Sequence, residues 1–154
     1  RHKDNDVTVA NVAIGLEEGE TTIYYGDTLT TLDREQMQRY REIDWAQHIS
    51  FSETTCDQMR LDTLMRKIEV PKEFDVLVVD VEGKEPEVFE TFELDEWKPK
   101  ILIIELEDEH HSFQKYEGHI DEIKKLREYI KSKGYVEIFK DYINTVFVRE
   151  EFKK

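Results

Sequence analysis

The sequence contains a single cysteine, Cys56, among its 154 residues. One cysteine forms neither an internal disulfide nor a multi-cysteine zinc site, so both are excluded as devices that hold this fold together. A chain built without disulfides is typical of a reducing, intracellular compartment. We therefore expect a cytoplasmic protein.

Basic residues are also scarce, because 22 lysines and arginines stand against 36 acids and leave a net charge of −14 at pH 7. Such a charge repels nucleic-acid phosphates and anionic lipid headgroups, so we expect neither a nucleic acid nor a membrane as partner. No apolar run approaches the roughly 18 residues of a membrane-spanning helix. The first residues also lack the pattern of a signal peptide, so we expect none.

Three glycine-based motifs are missing as well. The sequence contains no G-x-x-x-x-G-K-S/T, no G-x-G-x-x-G and no G-x-S-x-G. The first two motifs cradle phosphates and the third presents a serine nucleophile. Their absence excludes the usual phosphate-binding and serine-hydrolase sites from these 154 residues.

Two short apolar runs stand out in the second half of the chain. One spans residues 74–79 and is followed by Asp80, and the other spans residues 101–104 and is followed by Glu105. Continuous, branched apolar runs of this length are typical of strands covered on both faces, as in a parallel sheet. Between them, residues 85–96 carry apolar side chains on one helical face and acids on the other. The pattern predicts a right-handed strand–helix–strand crossover.

The rest of the pattern predicts an α/β fold in a single domain over residues 1–154, with no repeat or linker. The predicted elements are strands at 7–14 and 21–25, a helix at 35–48, an irregular or extended segment at 51–60, a helix at 61–68 that Pro71 stops, a helix at 120–130 that Gly134 ends, and a hairpin of 135–139 with 145–148 at the sheet edge.

The negative charge is concentrated just after the two apolar runs. Residues 80–96 and 105–109 together carry −11 of the net −14. In open α/β sheets ligands bind outside the carboxyl ends of the strands, which is where Asp80, Glu82 and Glu105 fall. A carboxylate that ends a buried strand is costly to desolvate unless something pairs with it, so these three acids are the candidate functional residues.

The Asp80-Val81-Glu82-Gly83 segment places two carboxylates at alternate positions, so both point the same way before Gly83 lets the chain turn. With Glu105 they could accept a proton from a hydroxyl, orient an amine or bind a hard divalent cation. His110 and His111 follow in a loop above the same edge, either as substrate-binding, metal-ligating or basic groups or simply as exposed histidines.

An ordered set of segments resembles the FkbM-type methyltransferases over nearly the whole chain. The most specific element is the D-V-E-G-x-E block at residues 80–85, with L-D-x-L at residues 61–64 preceding it. The other matching segments are 9–15, 18–19, 22–24, 74–79, 103–105, 134–135 and 144–148.

The resemblance implies an S-adenosylmethionine-dependent O-methyltransferase that acts on a hydroxyl of a sugar, a polyketide or another small metabolite. It implies a class I, Rossmann-like sheet that is mostly parallel, with a C-terminal antiparallel hairpin and helices on both faces. In that fold Asp80 would lie between the cofactor and the acceptor, and Glu82 and Glu105 would line the acceptor side as catalytic residues. Residues 11–13, namely Asn11, Val12 and Ala13, would lie near the adenine of the cofactor.

One departure from the family concerns the cofactor half of the domain. The glycine-rich loop after the first strand and the acid after the second would precede Val7, so the resemblance implies the C-terminal two-thirds of a domain. Two alternatives therefore stay open beside the enzyme. One is a non-catalytic remnant that acts as an interaction module, with a second copy pairing at a sheet edge. The other is a divalent-metal site at Asp80, Glu82 and Glu105.

Overall fold

The apolar runs of the sequence form strands of two β-sheets in a computed structural model, which describes residues 7–153. The strands are β1 (Ala13–Ile14), β2 (Gly19–Tyr25), β3 (Ser52–Met59), β4 (Val76–Val79), β5 (Ile101–Glu105), β6 (Tyr135–Lys140) and β7 (Asn144–Arg149). The α-helices are α1 (Arg34–Arg41), α2 (Leu61–Lys67), α3 (Glu85–Glu90), α4 (Leu94–Trp97) and α5 (Glu117–Ser132). Short 3₁₀ turns lie at Asp27–Leu29, Glu107–Glu109 and Glu150–Phe152.

The four-stranded sheet has the order β4-β5-β7-β6. Strands β4 and β5 are parallel, with Val79 opposite Ile104, so the predicted parallel pairing of these two strands across an intervening helical segment is confirmed. Strand β7 runs antiparallel to both β5 and β6, and β6 with β7 forms the predicted C-terminal hairpin at the edge. The prediction of a mostly parallel sheet is therefore confirmed only in part, because one pairing of this sheet is parallel and two are antiparallel.

The three-stranded sheet has the order β1-β3-β2 and differs more from the prediction. Strand β3 is the central strand, although its sequence, S-E-T-T-C-D-Q-M, is largely polar and its side chains are mostly exposed. Backbone pairing on both sides holds it in place. The predicted strand at 7–14 is wrong over most of its length, because Val7 and Val9 are 61% and 85% exposed and bury no face in the core.

The single helix predicted over residues 85–96 is two helices, α3 and α4. The interruption lies at Thr91, whose main-chain and side-chain oxygens accept hydrogen bonds from the first amides of α2, those of Asp62 and Leu61, both at 3.2 Å. The helix over residues 120–130 is confirmed as α5, and Gly134 follows it at a φ of +82°, as a helix-ending glycine requires.

The main hydrophobic core lies on one face of the four-stranded sheet, where α2, α3, α4 and α5 all contribute side chains. On β4 the alternation is plain, because Val79 is 4% exposed whereas Val78 is 62% exposed. The prediction that helices cover both faces of this strand is thus wrong, because no helix among residues 7–153 covers the face that carries Val78. None of the helices formed by these residues is both long and apolar enough to cross a membrane.

Candidate functional site

Three carboxyl groups converge where β4 and β5 end. Asp80 follows β4, Glu82 lies two residues further along, and Glu105 is the last residue of β5. Because the two strands are parallel, their carboxyl ends meet at one edge, and one oxygen from each of the three side chains lies within 4.8 Å of the others. We call these three residues the carboxyl cluster. Asp80 is exposed, and Glu82 and Glu105 are half-buried.

The loop that carries Glu82 has an unusual backbone. Glu82 and Gly83 both have positive φ, at 54° and 97°, and a non-glycine residue in this region is strained unless its surroundings hold it. The buried carboxylate of Glu85 accepts hydrogen bonds from the amides of Val81 at 3.0 Å and Gly83 at 3.1 Å. On the other side of the loop, the hydroxyl of Thr31 donates to the carbonyl of Glu82 at 2.7 Å.

Burial and mutual repulsion raise the pKa values of two carboxyl groups of the cluster. Burial raises the pKa of Glu82 to about 7, with the charges of Asp80 and Glu107 adding to the shift and a hydrogen bond from Tyr40 opposing it. Burial, the charges of Glu82 and Glu107, and a hydrogen bond with Asp80 raise the pKa of Glu105 to about 10. Both glutamates of the cluster therefore hold a proton more tightly than a free glutamate does.

A tyrosine far away in the sequence completes this site. Tyr40 lies on α1, is fully buried, and donates its hydroxyl hydrogen to Oε2 of Glu82. Its ring packs against Phe51, Phe113 and Trp45, with centroids 6.1 to 6.3 Å apart. Sequence reasoning missed this residue because no local pattern links positions that are 42 residues apart.

A second buried polar layer lies behind the cluster around Glu107. Gln36 donates to Oε2 of Glu107 at 3.2 Å, and Nε2 of His119 lies 3.4 Å from the same oxygen. Arg39 donates to Oε1 of Gln36 at 2.8 Å and lies 3.4 Å from Nδ1 of His119. The acidity of residues 105–109 signalled Glu107, but nothing in the sequence pattern indicated that Gln36 and His119 would enclose it.

The two predicted histidines lie together in the loop after β5. His110 is half-buried, His111 is exposed, and their rings stack with centroids 4.7 Å apart. The amide of Ser112 donates to Nδ1 of His110 at 3.2 Å, and burial lowers the pKa of His110, with His111 adding to the shift. Among residues 7–153 no hydrogen bond or ion pair joins either histidine to the carboxyl cluster, so their substrate-binding role stays a prediction.

Of the residues predicted to lie near an adenine, Ala13 belongs to the three-stranded sheet, and Asn11 and Val12 precede its first strand. Asn11 is exposed, Val12 is half-buried, and Ala13 pairs with Gln58 at the start of β1. None of the three has a hydrogen bond to the carboxyl cluster within the described part of the chain. Their role toward a cofactor remains a prediction.

A cavity of about 720 Å³ lies beside the cluster rather than over it. Its walls come from α3, α5 and the Gly83-Lys84 step, and none of the three cluster carboxyls lines it. We assign the site to the carboxyl cluster on its chemistry, because clustered carboxyls of unequal proton affinity mark functional sites more specifically than an open groove does. The same three oxygens are the donor type that a hard divalent cation prefers.

Acid–base groups outside the carboxyl ends of parallel strands are the usual arrangement of small-molecule-binding α/β domains. The family model described as the methyltransferase FkbM domain matches residues 1–137. The chain therefore belongs to the FkbM methyltransferase family, and the resemblance drawn from its motifs is confirmed. Searches among curated proteins and among solved structures found no match.

Proposed function

We propose that the chain takes part in S-adenosylmethionine-dependent methylation of a hydroxyl on a sugar or another small metabolite. One observation carries the proposal: the carboxyl groups of Asp80, Glu82 and Glu105 lie within 4.8 Å of one another at the carboxyl ends of parallel strands, where burial raises the pKa values of both glutamates. A carboxyl that titrates near the working pH is suited to remove a proton from a hydroxyl as it is methylated. Membership of a methyltransferase family supports the same chemistry.

The negative charge of the site suits a positively charged cofactor. S-adenosylmethionine supplies a methyl group on a positively charged sulfur and also carries an ammonium group. Exposed Asp80, which is not neutralised by any cation among residues 7–153, would hold such positive charge. We therefore assign Asp80 to the cofactor side of the site.

The remaining two carboxyls would act on the acceptor. Glu82 would accept the proton of the reacting hydroxyl as the new oxygen–carbon bond forms and the methyl–sulfur bond of the cofactor breaks, so that a neutral ether and a neutral thioether result. Protonated Glu105 would donate a hydrogen bond to a second acceptor oxygen and so orient the acceptor. Because methyl transfer requires alignment of nucleophile, methyl and leaving group, most of the contribution of these side chains is positioning.

Two measurements test this function. Calorimetry with S-adenosylmethionine, on this chain and on the product of the complete gene, measures cofactor binding, and a failure of both to bind would overturn the proposal. Transfer of a radioactive methyl group to a panel of monosaccharides and polyols measures activity. We expect Glu82→Gln to lower the rate by about 10²- to 10⁴-fold without weakening cofactor binding. Glu90→Gln, an exposed change on α3, is the matched control.

The pH dependence of the rate gives a further check. Because Glu82 must be ionised to act as a base, the rate should rise as the pH passes through about 7 and then level off. A rate that falls over this range would assign the base to another group.

We propose homo-oligomerisation through β4, in a non-catalytic module, as the second candidate function. The observation that favours it is the outer edge of β4 in the four-stranded sheet, which pairs with no other strand among residues 7–153, together with Val78, which is 62% exposed. Exposed edge strands recruit further strands. Sedimentation velocity should then detect a dimer that Val78→Lys abolishes, whereas Val9→Lys, on a residue outside the sheets, leaves it intact. A monomeric parent chain would exclude this candidate.

A further inference from the structure

The segment that includes α1 contacts the Glu82-Gly83 step at three points. The hydroxyl of Thr31 donates to the carbonyl of Glu82 at 2.7 Å, and the hydroxyl of Tyr40 donates to its carboxylate. Gln36 lies so close to Gly83 that a Cβ there would come within 2.9 Å of its Cγ. We call Thr31, Gln36 and Tyr40 the clamp.

The clamp is itself held rigidly. Thr31 is 2% exposed, and both Gln36 and Tyr40 are fully buried. Gln36 donates to Glu107 and accepts from Arg39, while the ring of Tyr40 is enclosed by aromatic side chains. A hydroxyl fixed in this way keeps one orientation, because buried side chains lie in well-defined rotamers.

The clamp leaves one oxygen of Glu82 available. Tyr40 donates a hydrogen bond to Oε2, and within residues 7–153 Oε1 accepts no hydrogen bond. Oε1 is therefore the atom that could accept a proton. The strained φ of Glu82 is what the clamp has to maintain, since strain of this kind persists only where surrounding contacts determine it.

We infer that Tyr40 is a positioning residue, which holds Glu82 by one carboxylate oxygen and aims the other at the acceptor hydroxyl, with Thr31 and Gln36 fixing the loop. The catalytic meaning of this inference rests on the proposed function. The hydrogen bond itself and its effect on Glu82 can be measured without any substrate.

Carbon-13 NMR of the glutamate carboxyls over a pH series tests the inference directly. The Glu82 signal is identified as the one missing from Glu82→Gln. Tyr40→Phe keeps the ring but removes a donor that favours the ionised carboxylate, so we expect the pKa of Glu82 to rise by about one to two units. Tyr116→Phe is the matched control, because Tyr116 also donates to a carboxylate, that of Glu42 at 2.7 Å, and should leave Glu82 unchanged.

A second measurement uses the unsubstituted chain and so does not depend on whether the variant folds. The carbon-13 chemical shift of the Tyr40 ring carbon that bears the hydroxyl should change with pH at the same midpoint as Glu82. This pH dependence should disappear in Glu82→Gln. An unchanged Glu82 midpoint in folded Tyr40→Phe, or a Tyr40 carbon that ignores the ionisation of Glu82, would overturn the inference.

The two proposals fail in different measurements. Absence of cofactor binding in calorimetry with S-adenosylmethionine removes the proposed function and leaves the NMR result standing. If methyl transfer is detected, Tyr40→Phe should move the rise of its pH profile to higher pH, in step with the NMR midpoint, whereas Tyr116→Phe should not. A rate change without that pH shift would assign Tyr40 a purely structural role.

Discussion

Two acid-rich regions lie near the end of β5, and they differ in how their charge is balanced. In the first, which we call the arginine network, Arg127 donates to Asp108 and to Glu137, both at 2.6 Å, and Lys140 lies 3.5 Å from Asp108. In the second, the carboxyl cluster, no lysine, arginine or histidine forms an ion pair with Asp80, Glu82 or Glu105 within residues 7–153.

The comparison separates acids that stabilise the fold from acids that can react. Where a buried carboxylate has a cation, its charge is compensated and it serves as a structural anchor for the chain after β5. Where buried carboxyls have only one another and a tyrosine, their pKa values rise into and above the neutral range. The uncompensated region is therefore the one to which we assign the proposed proton transfer.

The largest effect should come from breaking the arginine network. Arg127→Met leaves Asp108 and Glu137 without their shared cation, and Asp108 is only 8% exposed, so the free energy of unfolding should fall by about 3–5 kcal/mol. Urea denaturation at pH 7 measures this loss. Lys131→Met is the control, because Lys131 on the same helix pairs with Glu128 at the surface and should lose less than about 1 kcal/mol. Equal losses in the two variants would contradict the prediction.

The next largest effect concerns the loop of the carboxyl cluster. Gly83→Ala combines a strained φ with a clash against Gln36 and should cost about 2–3 kcal/mol. Gly134→Ala shares a positive φ but meets no atom within 4 Å, so it should cost only about 1 kcal/mol. Urea denaturation measures both losses. A smaller loss for Gly83→Ala than for Gly134→Ala would contradict the prediction, because it would mean that Gln36 moves aside at little cost to admit the added methyl group.

A smaller effect should appear in the pH dependence of stability. The folded state holds the Glu82 proton more tightly than the unfolded state, so its contribution is full at low pH and is lost as the pH rises through about 7. Relative to the parent chain, Glu82→Gln should gain about 1–2 kcal/mol between pH 5 and pH 8, a figure reduced for partial solvent exposure. Thermal or urea unfolding over this pH range measures it.

A control variant, Glu42→Gln, should show a pH dependence of stability in the opposite direction, over a more acidic range. Hydrogen bonds from Tyr116 and Lys115 lower the pKa of Glu42, so its contribution is present at neutral pH and is lost on acidification. Glu42→Gln should therefore become less stable than the parent chain as the pH rises toward 4.5, the ordinary pKa of a glutamate, and should show no further change between pH 5 and pH 8. The same direction of change in both variants would contradict the assigned shifts.

The smallest effect should come from the outer cation of the arginine network. Lys140→Met removes ion pairs with Asp108 and Glu109 but leaves Arg127 in place, so it should cost less than about 1 kcal/mol. This loss should shrink further in 1 M salt, because its charges are partly exposed, whereas the loss in Arg127→Met should persist. Denaturation at two salt concentrations measures the difference.

Local pattern was sufficient for the elements that bury a continuous apolar surface. The runs before Asp80 and Glu105 gave β4 and β5, and the apolar repeat that ends at Gly134 gave α5. It left residues 51–60 open between an irregular and an extended segment, because β3 is largely polar and is paired through its backbone on both sides. It also missed the break between α3 and α4 at Thr91, which depends on the start of another helix.

By itself the sequence determined that three acids follow two parallel strands at one edge of a sheet, because strand direction and chain order fix where such residues come together. Only the tertiary structure decided which acids are neutralised and which are not. Asp108 meets Arg127 from 19 residues further along the chain, and Glu82 meets Tyr40 from 42 residues earlier. Pairings over such distances are set by the packing of whole helices against the sheet and have no signature in local spacing.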